Sequence, residues 1–137
     1  MTQDDANALP LLDPAALDRL RDELDDDEGV WKVFVRNFIA QLPQRTEKLR
    51  LALTTGDLPG SLDAVLSLKT SSQMVGAERL AQFALGLERL VRTEGRQGAP
   101  EDVLPRLAAA HLKTIMKCGR QTSDLLQRYL DSAPGRK

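Results

Sequence analysis

The chain has 137 residues, of which 19 are basic and 20 acidic, so that its formal net charge is −1, and it contains a single cysteine. This length suits one domain with a hydrophobic core of its own, and one cysteine excludes an internal disulfide or a multi-cysteine zinc site. The balanced charge argues against a nucleic-acid or anionic-membrane partner, and the absence of an apolar run of ~18 residues or a basic leader predicts a cytoplasmic protein.

The first predicted helix begins at Asp13-Pro14, where the aspartate caps free amides and the proline occupies the first helical position. A short apolar stripe continues it to about residue 24: Leu17, Leu20 and Leu24. Residues 1–10 are polar, and we expect them to be flexible. The acidic run at 25–28 is predicted to begin the next helix, whose dipole favours negative charge. Contiguous acids do not converge as a metal shell requires, so we predict no metal site.

The second helix is predicted over residues 28–54. Its apolar residues keep the helical period: Trp31, Phe34, Val35, Phe38, Leu42, Leu49 and Leu53. Pro43 lacks a backbone donor and predicts a kink, or else a split of this helix. Gly56-Asp57 then combines a helix stop with the cap of a third helix.

A fourth helix is predicted over residues 77–94 and a loop over residues 95–100, which contain two glycines and a proline. The fifth helix is predicted from about residue 102 to 130, with Gly119 as a point for a bend or break. One face of it carries Leu104, Leu107, Ala108, His111, Ile115, Cys118, Thr122, Leu125 and Tyr129. We expect residues 132–137 to form a flexible tail. No segment alternates as a strand would, so the prediction is an all-α protein: an up-and-down antiparallel four-helix bundle over residues 11–131, capped at one end by the short first helix.

The third predicted helix is the most informative element. One of its faces is formed by Leu62, Val65, Leu68 (or Lys69) and Ser72, at three- and four-residue spacing. The other face is formed by Leu66, Lys69, Thr70 and Gln73. Gly76 supplies the permissive backbone for a reversal into the fourth helix.

This stretch resembles the signature of the histidine-containing phosphotransfer (HPt) domain, which reads Ala-His-x-Leu-Lys-Gly-Ser-Ala and is followed by a Gly and a Leu. The resemblance places Val65 at the Ala, Leu68 and Lys69 at the Leu-Lys, Ser71 and Ser72 at the Ser-Ala, and Gly76 and Leu80 at the closing Gly and Leu. Two positions depart from the signature: Leu66 stands where the phosphorylatable His belongs, and Thr70 where the Gly belongs. The resemblance spans roughly residues 11–130 and implies the same helical bundle.

Phosphoryl relay needs an exposed imidazole as nucleophile, and a cation one turn away helps to hold the phosphoryl oxygens. Leu66 has no nucleophilic or titratable atom, and without a phosphoryl group Lys69 is expected to be a solvated charge. The resemblance therefore implies a pseudo-HPt signalling protein that is not an enzyme and needs no cofactor. We expect it to be a monomer that binds a response-regulator receiver domain or a histidine kinase without carrying phosphate. The predicted partner-binding residues are Asp63, Leu66, Lys69, Thr70 and Gln73.

Several alternatives stay open at the level of the sequence. Leu66 is a core residue if the helix is rotated by one position, and an apolar surface there would also suit a self-associating structural bundle. His111, the single histidine, is either a packed residue or the phosphoacceptor of an active phosphotransfer protein. Cys118 is interpreted as an inert core thiol. The basic patch near the end of the fourth helix needs no ligand and consists of Arg89, Arg92 and Arg96.

Overall fold

The structure is a computed structural model that describes residues 9–24 and 28–132, and the regular secondary structure in these ranges is entirely α-helical. Its helices are α1 (Pro14–Glu23), α2 (Glu28–Thr54), α3 (Leu58–Met74), α4 (Glu78–Gln97) and α5 (Pro100–Ser132). Our expectations for both chain ends and for the acidic run fall largely on residues 1–8, 25–27 and 133–137, which lie outside the described ranges.

The four long helices pack in a ring that follows chain order. Helix α3 packs against α2 and α4, and α5 packs against α4 and α2, while the short α1 contacts α2 and α3. The connections are as short as residues 98–99, so consecutive helices run antiparallel. Each long helix contributes fully buried side chains to one core, among them Leu49, Leu68, Leu87 and Ile115. The predicted all-α, up-and-down four-helix bundle is confirmed.

The turn between α3 and α4 depends on Gly76, which has a φ of 72°. The Ala77 amide donates to the Ser72 carbonyl at 2.8 Å, as in a Schellman helix end. The Gly76 carbonyl accepts from the Asp13 amide at 2.7 Å, which ties the start of α1 to this turn. A Cβ at Gly76 would lie 2.8 Å from both the Asp13 carbonyl oxygen and the Ala16 Cβ. Backbone conformation and close packing therefore both require glycine here.

Gly76→Ala is expected to lower the free energy of unfolding by about 1–3 kcal/mol, because alanine resists positive φ and its methyl group would collide with α1. Gly86→Ala is the matched control, since Gly86 is helical and a Cβ there meets no heavy atom within 4 Å. That variant should gain up to about 1 kcal/mol from better helix propensity. Urea denaturation of both proteins measures the difference, and equal stability of the two variants would contradict this account.

The prediction of a loop over residues 95–100 was wrong in its first half. Helix α4 continues to Gln97, only Gly98 and Ala99 separate it from α5, and α5 begins two residues earlier than predicted. Gly95 is buried within α4, and a Cβ there would lie 2.9 Å from Leu58 Cδ1. The glycine thus permits close packing of α3 on α4. The sequence pattern predicts a helix stop at this residue, and that prediction is wrong.

Neither Pro43 nor Gly119 splits its helix. Helix α2 continues through Pro43, and the Thr46 hydroxyl donates within this turn to the Leu42 carbonyl at 3.1 Å and the Pro43 carbonyl at 3.0 Å. Helix α5 continues through Gly119, where a Cβ would lie 3.5 Å from Leu42 Cδ2. Gly119 therefore lies opposite Leu42 between α2 and α5, and of the predicted bend or break the break is wrong.

Candidate functional site

The outer face of α3 carries the predicted partner-binding residues. We call it the Leu66 face, and it consists of Asp63, Leu66, Lys69, Thr70 and Gln73. Asp63, Thr70 and Gln73 are exposed, whereas Leu66 and Lys69 are half-buried. The opposite side of the same helix buries Val65, Leu68 and Ser72 completely. The structure therefore brings these residues together on one surface in the orientation that the helical period predicted.

Leu66 lies outside the hydrophobic core. It belongs neither to the buried core cluster nor to the partly buried apolar side chains that pack against that cluster. The alternative in which a rotated helix makes Leu66 a core residue is therefore wrong. Leu66 also has an apolar companion that the sequence analysis missed, because Met74, two turns further along α3, is 49% exposed. Its spacing from Leu66 was the available signal, and its flexible thioether suits contact with an irregular surface.

Lys69 is held by a buried carboxylate on the neighbouring helix. Its Nζ donates to Glu88 Oε1 at 2.7 Å, and Arg92 Nε donates to Glu88 Oε2 at 3.0 Å. Glu88 is only 8% exposed. The hydrogen bond from Lys69 is the main reason that the pKa of Glu88 lies below its ordinary value, and Arg92 lowers it further against the opposing effect of burial. We call these three residues the Glu88 network.

The Glu88 network corrects two expectations. Lys69 is not a solvated charge, and Arg92 owes its place to an ion pair as well as to the end of α4, because both side chains neutralise the same buried carboxylate. Sequence reasoning missed Glu88 because it is 19 residues from Lys69 and on another helix. The one available signal was its place between the inward-facing Leu87 and Val91, where an unpaired carboxylate would be costly.

Neither Ser71 nor Ser72 offers a free surface hydroxyl to a partner protein. The Ser71 hydroxyl donates to the Ser67 carbonyl at 2.7 Å, within its own helix. Ser72 is fully buried, so its hydroxyl is out of reach of any partner protein.

His111 and Cys118 lie on α5, diagonally across the ring from α3. His111 is half-buried, and Cys118 is buried with a thiol whose pKa is raised by that burial. Within residues 9–24 and 28–132 there is no group of three or more metal-ligating side chains. None of the helices described is long and apolar enough to span a membrane.

The chain is an antiparallel helical bundle with a glycine turn after its third helix. Comparisons with known proteins identify the family that has this arrangement. The family model described as "Hpt domain" matches residues 33–132, well over half of the chain. The chain belongs to the Hpt domain family.

Two solved structures share the fold of this Hpt domain. One is histidine-containing phosphotransfer protein B (HptB) from Pseudomonas aeruginosa PAO1, with 23% identity and a TM-score of 0.72, covering 93% of this chain and 100% of its own. The other is the HPT domain of an Hpt sensor hybrid histidine kinase from Shewanella, with 15% identity and a TM-score of 0.63, covering 87% of this chain and 95% of its own. Comparison with curated protein sequences gives no match.

Membership of the family sets the general function. Hpt domains are phosphotransfer carriers rather than catalysts, and they interact with histidine kinases and receiver domains in two-component phosphorelays. This chain is accordingly a phosphorelay signalling protein.

Proposed function

We propose that this Hpt domain is a pseudo-HPt, which binds a receiver domain or a histidine kinase through the Leu66 face without carrying a phosphoryl group. The observation that supports this most strongly is the place of Leu66. It lies on the outer side of α3, outside the core, at the position where the resemblance puts the phosphoacceptor histidine.

The chemistry around position 66 offers no replacement nucleophile. Ser67 is one residue further on, about 100° around the helix axis from position 66, so its hydroxyl does not take the place of the missing imidazole. The Lys69 amine is committed to Glu88 at 2.7 Å. His111 lies on the diagonal helix, so a partner that covers the Leu66 face would not reach it.

The same surface retains what protein docking needs. Leu66 and the exposed Met74 offer apolar area, and the exposed Asp63, Thr70 and Gln73 surround them with polar groups. An apolar centre with a polar rim is the usual arrangement of a protein–protein interface. Leucine at position 66 therefore removes the acceptor atom while it leaves a surface on which a partner can pack.

Incubation with phosphorylated receiver domains from the source organism tests the proposal. We expect at least one receiver to form a one-to-one complex with the chain, while its phosphoryl group remains on the receiver. Light scattering on the same samples separates this outcome from the self-association alternative. A chain that forms dimers when concentrated and binds no receiver would overturn the proposal.

A further inference from the structure

A groove of about 600 Å³ between α2 and α3 lies directly beside the Leu66 face. Asp63 belongs to both surfaces, and Ser67, the residue after Leu66, lines the groove. On the α2 side the wall carries two cations, Arg45 and Lys48. The Arg45 Nε donates to Ser67 Oγ at 3.4 Å, which places this guanidinium within one residue of position 66 along α3.

The cations of this surface differ in their availability. Lys69 is occupied by Glu88, which is itself shared with Arg92. Within the described part of the chain, by contrast, neither Arg45 nor Lys48 has a carboxylate within 4.0 Å. Positive charge that has no carboxylate partner among the described residues is therefore found on the α2 side of Leu66, at Arg45 and Lys48. Lys69 does not supply it.

The groove also contains two carboxylates, Asp57 and Asp63. Asp57 is the N-cap of α3 and accepts from the Gly60 amide at 2.9 Å. It precedes Ser67 by ten residues, or about 15 Å of helix, and Asp63 precedes Ser67 by about one turn. The groove thus carries Arg45 beside Ser67, Asp63 about one turn from Ser67, and Asp57 at the α2–α3 turn.

We infer that Arg45 and Lys48 form the electrostatic half of the docking surface and select a receiver domain by the negative charge of its phosphorylated aspartate. This inference rests on the proposed function and adds to it the element that provides charge recognition. The complementarity is direct, because a receiver carries its phosphoryl group on an aspartate. The side of a receiver that would face position 66 therefore bears negative charge. Free cations at the rim of an interface accelerate association and discriminate between partners.

The test is a double charge reversal, Arg45→Glu with Lys48→Glu, and binding is measured by surface plasmon resonance against the receiver that the wild-type chain binds. The matched control reverses two exposed cations outside the groove, Arg36→Glu with Lys113→Glu, and changes the net charge by the same amount. We expect the groove variant to associate about tenfold more slowly, or slower still, at low ionic strength. Its association rate should also depend less on salt than that of the wild type.

Equal effects of the two double variants would overturn the inference, because they would show a response to net charge alone. Normal binding by the groove variant, together with loss of binding in a Leu66 variant, would overturn it while leaving the proposed function intact. Absence of receiver binding by the wild-type chain would instead overturn both. Circular dichroism of each variant verifies that the bundle is folded.

Discussion

Leu66→Ala is expected to weaken receiver binding by about 30-fold or more, if the Leu66 face is the docking surface proposed above. A loss of this size corresponds to the ~2 kcal/mol that defines an interface hot spot, and Leu66 is the central apolar side chain of its face. Because Leu66 lies outside the core cluster, the substitution should change the free energy of unfolding far less than truncation of a core leucine would. Isothermal titration calorimetry gives the change in affinity, and urea denaturation gives the change in stability.

Leu125→Ala provides the control for this experiment. Leu125 is also a half-buried leucine outside the core cluster, but it lies on α5, diagonally across the ring from α3. The Leu125→Ala variant should bind the receiver with wild-type affinity. If both variants bind equally well, the Leu66 face is not the docking surface.

Lys69→Met is expected to lower the free energy of unfolding by about 1–2 kcal/mol. The substitution leaves the Glu88 carboxylate buried with Arg92 as its remaining partner, and removal of one member of a buried ion pair is destabilising. This is less than the about 3–5 kcal/mol expected for a fully buried pair, because the Lys69 and Arg92 side chains retain 20% and 41% exposure and water screens the network. Thermal and urea denaturation report the change.

The double variant Lys69→Met with Glu88→Leu separates two contributions to the lost stability. One is the lost attraction between Lys69 and Glu88, and the other is the cost of burying the Glu88 carboxylate without Lys69. With the carboxylate also removed, stability should return to within about 0.5 kcal/mol of the wild type, because an apolar pair can replace a buried ion pair at little cost. A double variant that is less stable than Lys69→Met alone would show that the Glu88 network contributes net stability instead.

The Glu88 network also predicts a pH dependence. The pKa of Glu88 is lower in the folded chain than its ordinary value, mainly because Lys69 donates to it. Its contribution is therefore complete above the ordinary carboxyl pKa of about 4.3 and is lost as the pH falls through the lowered folded-state value. The stability difference between the wild type and Lys69→Met should narrow over this acidic range.

Local patterns were sufficient to predict the bundle. The Asp13-Pro14 start, the helical period of α2 and the glycine at position 76 each describe a feature that neighbouring residues determine, and the structure has all three. The orientation of α3 followed for the same reason, since Val65 and Leu68 are buried while Leu66 is not.

The features that sequence reasoning missed depend on contacts between helices. Gly95 is a glycine in a loop-like stretch and is therefore predicted to end a helix. Its close approach to Leu58 becomes evident only once α3 and α4 are packed together. Whether Lys69 is solvated or paired likewise depends on Glu88, which is on another helix. The groove that carries Arg45 arises because α2 and α3 lie side by side. No periodicity within one helix contains this information.

The most direct test of the account follows the phosphoryl group itself. The wild-type chain and a Leu66→His variant are incubated with a radiolabelled phosphorylated receiver that binds the wild type, and each protein is then assayed for acid-labile label. We predict that the wild-type chain remains unlabelled while it forms the complex, and that Leu66→His acquires label at position 66. Label on the wild-type chain that disappears in His111→Ala would contradict the account, because it would identify an active phosphotransfer protein.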